Sequence, residues 1–276
     1  MHSSEPSQLA GKVAVVTGGT VGIGKAVCLR LAQQGAYVVV VGRDQDRLNA
    51  VVSEIEHEGQ GRVLACRGDV RSETDLEETT RAAVGQFGGI DVLIASAGIL
   101  RARGSSLKTM EKMSLAEWDE VIDTNLKGVY LANKAVLPTM IQQRSGHIVN
   151  LSSTSGLKGH AFDTAYCASK FGVIGLTESL ADEVRPYGIR VQVLLPGAID
   201  TSMWDQNGPL RRPEFALPVG RVADLILAVL QMPEDATLAA TVVEPMGRPA
   251  RDGWLGAQHV DETTQTHGRP VGSIRG

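Results

Sequence analysis

The sequence predicts an α/β fold with one doubly wound parallel sheet of about seven strands and helices on both faces. Short apolar runs alternate with stretches of helical periodicity, a pattern typical of right-handed crossovers between parallel strands. The runs are nearly continuous in Val and Leu, as strands that are covered on both faces require. With 276 residues, of which 43% are hydrophobic and 21% charged, the chain can bury one large core.

Each predicted strand is an apolar run that gives way to a helical or polar stretch. In chain order the runs are residues 13–16, 37–41, 63–66, 92–95, 147–151, 190–195 and 239–244. Residues 25–34, after the first run, have apolar positions at helical spacing. We predict a single Rossmann-type domain at residues 11–244, after an N-terminal arm at residues 1–10. The tail at residues 245–276 lacks periodicity, so disorder and packing on a neighbouring subunit are both open.

Composition and cysteine spacing exclude several classes of protein. A net charge of −4 without a basic block argues against a nucleic-acid partner. Cys28, Cys66 and Cys167 have neither a Cys-x-x-Cys spacing nor a histidine cluster, so we expect no disulfide and no metal site. Residues 1–12 lack the apolar core of a signal peptide, and no run approaches about 18 apolar residues. We therefore expect a cytoplasmic protein without a membrane partner.

A glycine-rich turn follows the first strand. Gly18, Gly22 and Gly24 lie between that strand and the helical stretch after it. Glycine permits a tight turn and lets the backbone approach a pyrophosphate, whose charge is met by backbone N–H groups and by the positive end of the helix dipole. The turn therefore predicts a dinucleotide site, and the alternative is a glycine turn between two packed elements without a ligand.

Tyr166 and Lys170 form a Tyr-x-x-x-Lys pair. Residues four apart in a helix share one face, so the Lys170 ammonium can reach the same site as the Tyr166 phenol. A nearby cation favours the phenolate, so we expect the pKa of Tyr166 to lie below its reference value of ~10. Tyr166 would then donate and accept a proton closer to neutral pH. The alternative is an exposed tyrosine and lysine on a solvated helix face.

Several motifs along residues 11–201, taken in order, resemble the short-chain dehydrogenase/reductase superfamily. Besides the glycine turn and the tyrosine–lysine pair, they are Asp69-Val70, Asn125, Ser153 and Pro196-Gly197-x-x-x-Thr201. For the cofactor site the resemblance implies Gly18, Thr20, Gly22, Ile23, Gly24, Arg43, Asp69, Val70, Ser96, Ala97, Gly98, Tyr166, Lys170, Pro196, Gly197, Ile199 and Thr201.

The chain departs from the family pattern after the fourth predicted strand. Ala95-Ser96-Ala97-Gly98 stands where Asn-Asn-Ala-Gly is usual. In relatives the first pair helps to tie the central sheet together, so we expect a change in local hydrogen bonding rather than in the chemistry.

The resemblance implies an oxidoreductase that interconverts a ketone or aldehyde and an alcohol, with NAD(P) as the acceptor for the CH–OH group. Ser153 would donate a hydrogen bond to the carbonyl oxygen, and Tyr166 would deliver the proton. Lys170 would hold the nicotinamide ribose and stabilise the tyrosinate, and Asn125 would anchor a water that reconnects the lysine to solvent. The resemblance also implies a small-molecule carbonyl or alcohol substrate and a substrate lid at about residues 198–218.

The residues after the second strand bear on the choice of cofactor. An acidic residue there binds the ribose of NAD, whereas an arginine accommodates the 2′-phosphate of NADP. Gly42 stands where NAD-using relatives carry an aspartate and Arg43 follows it, so NADP(H) is favoured. NAD(H) stays open, because Val21 is neutral where many NADP enzymes have a basic residue and because Asp44 could pair with Arg43.

We therefore expect NADPH-dependent reduction of a hydrophobic ketone or a 3-oxoacyl-type substrate. An NAD-dependent alcohol dehydrogenase and a catalytically silent, nucleotide-sensing binding protein are the alternatives. The basic stretch at residues 99–112 could steer an anionic substrate or be a solvated loop, and Met203, Trp204 and Leu210 could line an apolar pocket. We expect a homodimer or homotetramer, paired through an outer helix face formed by Ala132, Val136, Val173 and Leu176.

Overall fold

The computed structural model describes residues 7–58, 62–208, 211–233 and 235–247. Within these ranges the strands are β1 (Val13–Thr17), β2 (Tyr37–Gly42), β3 (Arg62–Arg67), β4 (Val92–Ala95), β5 (Gly146–Leu151), β6 (Ile189–Pro196), β7 (Ile199–Asp200), β8 (Leu217–Pro218) and β9 (Ala240–Val243). The α-helices are α1 (Gly22–Gln33), α2 (Gln45–Glu58), α3 (Glu73–Phe87), α4 (Leu115–Ile122), α5 (Gly128–Gln143), α6 (Thr164–Val184) and α7 (Val219–Leu230). A π turn, Asp123–Lys127, joins α4 to α5.

Seven of these strands form one parallel sheet in the order β3-β2-β1-β4-β5-β6-β9, which confirms the predicted fold class. The strand bounds differ from the predicted runs by at most one residue at either end. The order reverses between β1 and β4, and open α/β sheets bind ligands at the carboxyl ends of strands around such a reversal. The sheet therefore places the predicted site at that edge.

Alternate residues of the central strands pack against helices on opposite faces of the sheet. Ala14 and Val16 belong to one core cluster, which includes residues of α1, α2 and α7. Val13 and Val15 belong to a second cluster, which includes residues of α3, α5 and α6. Because both faces are covered, every position of β1 is buried, and this is why the run is apolar throughout rather than alternating.

The expected outer face of α5 and α6 is wrong. Ala132, Val136 and Val173 are buried in the chain's own core, and Leu176 is partly buried against it. The exposed apolar side chains on these helices include Tyr130 and Phe171, which are 48% and 47% exposed. A homodimer or homotetramer stays a prediction and would have to use residues of this second kind.

Contacts along the chain place a boundary between two units after Pro245. The boundaries of the predicted domain stay a prediction, because residues 1–6 of the arm and residues 248–276 of the tail lie outside the described residues. In the part of the chain that the structure describes, no helix has the length and apolarity needed to cross a membrane.

Candidate active site

The glycine turn brings stretches of backbone closer together than side chains would allow. Gly18 and Gly22 have φ angles of +65° and +54°, a region that glycine enters without strain. A Cβ on Gly18 would stand 2.7 Å from the Ala97 Cα, and a Cβ on Gly24 would overlap the Gly18 carbonyl oxygen. The turn after β1 can therefore close only around glycine, and it lies directly against the loop after β4.

Helix α1 begins at Gly22 with an open N-terminus. Val21 at the N-cap makes no side-chain hydrogen bond, and the first turn carries no acidic residue. The N–H groups of this turn and the positive end of the helix dipole are thus available to an anion. Thr201 lies close by, because a Cβ on Gly22 would be 3.3 Å from its Cγ2. These residues fit the pyrophosphate of a nicotinamide dinucleotide, with Thr20 and Ile23 in the same turn.

The other predicted cofactor residues follow or end strands at the same edge of the sheet. They are Arg43 after β2, Asp69 and Val70 after β3, Ser96, Ala97 and Gly98 after β4, and Pro196, Gly197, Ile199 and Thr201 at the end of β6 and beyond. Two of them are covered by the fold. Val70 packs under Gly128, where a Cβ would be 2.8 Å from its Cγ2, and Ile199 is 5% exposed in the core.

Asn125 lies in the π turn between α4 and α5 and is fully buried. Its Oδ1 accepts a hydrogen bond from the Ile99 N–H at 2.8 Å, and its Nδ2 donates to the Ile99 carbonyl oxygen at 2.8 Å and to Ser169 Oγ at 3.1 Å. A Cβ on Gly98 would lie 3.4 Å from Asn125 Oδ1 and 3.7 Å from Lys170 Nζ. Asn125 thus fastens the loop after β4 to α6, and π turns are frequent at functional sites.

A network of buried amide side chains lies beside Ala95, the position at which the sequence departs from the family pattern. The register partner of Ala95 in β5 is Asn150. Asn133 Nδ2 donates to Asn150 Oδ1 at 2.9 Å, and Asn150 Nδ2 donates to Thr177 Oγ1 at 3.1 Å. The polar tie between the sheet and the helices α5 and α6 is therefore made from β5, which explains how β4 can end in an alanine.

Ser153, Tyr166 and Lys170 are all buried at the carboxyl end of β5 and on α6. Ser153 Oγ accepts a hydrogen bond from the Ser155 N–H at 3.2 Å, and the side chain of Ser153 is hydrogen-bonded to the side chain of Tyr166. Lys170 Nζ lies 5.7 Å from the centroid of the Tyr166 ring and donates to the Leu151 carbonyl oxygen at 2.8 Å. The structure thus brings the three side chains together, and the alternative of an exposed pair on a solvated face is excluded.

The expected fall in the pKa of Tyr166 is wrong. Burial raises this pKa to about 12, with a contribution from the negative charge of Asp163, and the hydrogen bond with Ser153 only partly opposes it. Burial likewise lowers the pKa of Lys170 to about 8. The spacing of the two residues indicated only the attraction between a cation and a phenolate. The cost of burying a charge is larger and sets the direction of the pKa shift of both groups.

Arg43 lies at the carboxyl end of β2 with its side chain 58% exposed. Asp44, which could have paired with it, instead accepts backbone hydrogen bonds at the start of α2 and contacts Arg47 at 3.5 Å. Arg43 Nη1 approaches Asp69 Oδ2 at 3.8 Å. Within the part of the chain that the structure describes, the guanidinium of Arg43 is therefore held only by a long, partly exposed ion pair.

A second guanidinium, missed by the sequence analysis, stands beside Arg43. Arg67 ends β3 as the register partner of Gly42, and its Nε donates to the Arg43 carbonyl oxygen at 3.3 Å. Aligning the ends of the second and third predicted strands would have found it. Asp69 is bound by Arg71, whose Nη2 lies 2.6 Å from Asp69 Oδ2, and this hydrogen bond holds the pKa of Asp69 below its ordinary value.

A cleft of about 320 Å³, including solvent at its mouth, opens beside Tyr166. Its apolar lining includes Leu100, Met113, Val121, Phe162 and Ala165. Two basic residues of the stretch 99–112 also line it, and each is paired with a carboxylate of the same cleft. Arg101 Nη2 lies 2.6 Å from Asp163 Oδ1, and Lys108 Nζ lies 2.6 Å from Glu117 Oε1. The lining therefore offers no unpaired cation of that stretch to a ligand.

The segment after β7 forms a short 3-10 helix, Ser202–Gln206. Met203 packs against the apolar cluster that contains Tyr166. Trp204 Nε1 donates to the Ile199 carbonyl oxygen at 2.8 Å, so its polar end is used within the segment. Leu210 lies outside the described residues.

Comparison with known proteins places these features in a family. Residues 12–211 match the family described as short chain dehydrogenase. An uncharacterized oxidoreductase of Staphylococcus aureus strain MRSA252 is 34% identical over 86% of this chain and 99% of that protein. An uncharacterized oxidoreductase of Staphylococcus epidermidis strain ATCC 35984 is 32% identical over 85% of this chain and 97% of that protein.

Solved structures share the fold. Levodione reductase superposes with a TM-score of 0.79 at 30% identity, over 86% of this chain and 97% of that one. An alcohol dehydrogenase from the archaeon Thermococcus sibiricus, complexed with 5-hydroxy-NADP, superposes with a TM-score of 0.77 at 28% identity, over 87% of this chain and 99% of that one. A metagenomic short-chain oxidoreductase in complex with NADP superposes with a TM-score of 0.75 at 33% identity, over 87% of this chain and 99% of that one. The chain therefore belongs to the short-chain dehydrogenase family and is an oxidoreductase.

Proposed function

We propose that the protein is an NADPH-dependent reductase of a neutral, hydrophobic ketone or aldehyde. The observation that carries this proposal is the buried group of Ser153, Tyr166 and Lys170, which lies next to the glycine turn. The loop after β4 makes the connection: Gly18 packs on Ala97, and Gly98 packs near Lys170. A dinucleotide held by the glycine turn would therefore extend towards the proton donor.

Tyr166 is suited to act as a general acid. With its pKa at about 12, the phenol keeps its proton at neutral pH, and carbonyl reduction needs a proton for the new alkoxide oxygen. A substrate carbonyl oxygen between the hydroxyls of Ser153 and Tyr166 would accept a hydrogen bond from each. The chemistry that the dinucleotide supplies when bound is hydride transfer to the carbonyl carbon. Proton delivery of this kind contributes about 10²- to 10⁴-fold to the rate.

Lys170 and Asn125 support this acid. The Lys170 ammonium uses one donor on the Leu151 carbonyl oxygen, which leaves two for ribose hydroxyls. The amide N–H groups of Asn125 are engaged by Ile99 and Ser169. The water predicted at Asn125 would therefore bind its backbone carbonyl in the π turn rather than its amide nitrogen.

The arginines at the ends of β2 and β3 support NADPH as the cofactor. Arg43 is exposed and weakly paired, and Arg67 stands beside it. Two guanidiniums suit a 2′-phosphate, which accepts several charge-assisted hydrogen bonds. Two similar solved structures are complexes with NADP or 5-hydroxy-NADP, in agreement with this choice.

The ion pairs of the cleft favour a neutral substrate over an anionic one. Arg101 and Lys108 are balanced by Asp163 and Glu117, so an acyl-carrier phosphate or a carboxylate would have to displace a partner. The remaining lining is largely apolar. A hydrophobic ketone is therefore preferred to a 3-oxoacyl-type substrate, and the fold is shared with a protein named as a reductase of levodione.

The test compares wild type with Tyr166→Phe, using NADPH and a panel of neutral and carboxylated ketones. We expect wild type to oxidise NADPH with hydrophobic ketones, and the variant to lose at least about 100-fold in kcat while its Kd for NADPH stays within about 2-fold. Undiminished turnover in the variant would overturn the role of Tyr166. Preference for NADH with alcohols would support an NAD-dependent alcohol dehydrogenase, and NADPH binding without turnover of any carbonyl or alcohol would support a nucleotide-sensing protein.

A further inference from the structure

Arg101 is buried although it carries a charge. It lies in the loop after β4, lines the cleft beside Tyr166, and has a side chain only 6% exposed. Its Nε has no hydrogen-bond partner among the described residues, so the cost of burial is not fully offset. Apolar residues often stabilise a fold better than a buried ion pair does. The burial of Arg101 therefore points to a role in the site rather than in stability alone.

The guanidinium of Arg101 binds the start of helix α6. Its Nη1 donates to the Phe162 carbonyl oxygen at 2.6 Å, and its Nη2 donates to Asp163 Oδ1 at 2.6 Å. Phe162 has a φ of +67°, which is strained for a bulky residue, and Asp163 is the N-cap of α6. Arg101 thus holds the strained turn from which the helix that carries Tyr166 begins.

The same loop binds the segment after β7. Arg101 Nη2 also donates to Asn207 Oδ1 at 2.9 Å. The backbone N–H groups of Leu100 and Arg101 donate to Gln206 Oε1 at 2.9 and 3.3 Å. One side chain therefore bonds both the start of α6 and the end of the short helix Ser202–Gln206.

We propose that Arg101 is a positioning residue that fastens the lid segment, residues 202–208, to the start of α6 and so sets the place of Tyr166 in the cleft. Its contacts are with Phe162, Asp163 and Asn207, so it acts through these groups. The inference rests on the proposed function, because it assigns Arg101 a part in placing the proton donor of a carbonyl reduction.

Arg101 also balances a carboxylate that acts on Tyr166. The negative charge of Asp163 raises the pKa of Tyr166, and the guanidinium offsets that charge. The other titratable or charged groups around Tyr166 and its cleft are Lys170, Cys167, Lys108 and Glu117. Removal of the positive charge at position 101 leaves Asp163 unbalanced, so the pKa of Tyr166 should rise further.

Two substitutions separate geometry from charge. Arg101→Lys keeps the charge but loses the planar fork, whereas Arg101→Met loses both. We expect kcat for ketone reduction to fall about 10- to 100-fold in both variants, with the Kd for NADPH within about 2-fold of wild type. In alcohol oxidation, the rise of rate with pH should move to higher pH in Arg101→Met only. Arg103→Met, on an exposed residue of the same loop, is the matched control and should match wild type.

A second measurement does not depend on turnover. Arg211 follows the lid segment, is exposed and precedes Arg212, so trypsin cleavage after Arg211, located by mass spectrometry, reports release of the lid. We expect this cleavage to be about 10-fold faster in Arg101→Met than in wild type and unchanged in Arg103→Met. If kcat, the pH profile and the cleavage rate of both Arg101 variants equal those of wild type, the proposal is overturned.

The two proposals fail in different ways. If wild type reduces no ketone while cleavage still accelerates in Arg101→Met, the proposed function is wrong and the fastening of the lid stands. If Arg101→Met loses NADPH binding and its native circular dichroism, it has unfolded, and Asn207→Ala takes its place because it removes only the lid side of the contact. Faster cleavage in Asn207→Ala then supports the proposal, and unchanged cleavage contradicts it.

Discussion

Replacement of Gly18 by alanine should lower the free energy of unfolding by about 2–5 kcal/mol. Two separate costs add at this position. The φ of +65° lies in the left-handed region, which costs an alanine about 1–2 kcal/mol. The new Cβ would stand 2.7 Å from the Ala97 Cα and 2.9 Å from the Ala97 nitrogen, and overpacking costs about 1–3 kcal/mol. Both neighbours are backbone atoms, so no side-chain rotation relieves the contact.

Two other glycines separate these costs. Gly104 has a φ of +76° and open space around an added Cβ, so alanine there should cost only the backbone share of stability, about 1–2 kcal/mol. Gly85 in α3 has open space and no positive φ, so alanine there should gain about 0.5–1 kcal/mol. Urea denaturation measures all three. A Gly18→Ala protein as stable as wild type, with unchanged NADPH affinity, would refute the close approach of the two loops.

Alanine at Arg43 or Arg67 should each weaken NADPH binding about 10-fold in fluorescence titration and leave NADH unchanged; equal losses for both cofactors would contradict a phosphate-binding role. Asn133→Ala removes a partner of the buried Asn150 amide and should cost about 1–3 kcal/mol in urea denaturation, and an unchanged midpoint would show that the amide network adds no stability. Burial lowers the pKa of His147 from 6.5 to about 4, so the unfolded chain binds a proton between these values that the folded chain does not. Stability should therefore fall as the pH drops from 6.5 towards 4, and His147→Gln should reduce that dependence; the same slope in the variant would assign it to other groups.

Local patterns were sufficient for the seven strands of the main sheet and for the glycine turn, but not for the short pair β7 and β8. A strand covered on both faces must be apolar at each position, so the run at residues 92–95 coincides with β4. Gly18 was found in the same way, because a strand-to-helix turn around a phosphate needs that conformation. The residues that local patterns missed depend on pairing between distant elements. Arg67 reaches Arg43 only through the β2–β3 register, and Arg101 reaches Asp163 across two loops.

Depth of burial, which spacing does not report, reverses the expected electrostatics of Tyr166 and Lys170. Four-residue spacing places the two groups on one face, as expected, but both are at least nine-tenths buried. In that setting burial favours the neutral form of each group, so the phenol holds its proton more tightly and the ammonium less tightly than in water. A phenol that is protonated at neutral pH already holds the proton that carbonyl reduction consumes. Alcohol oxidation would first have to remove that proton, so the burial of the pair supports the reductive direction that we propose.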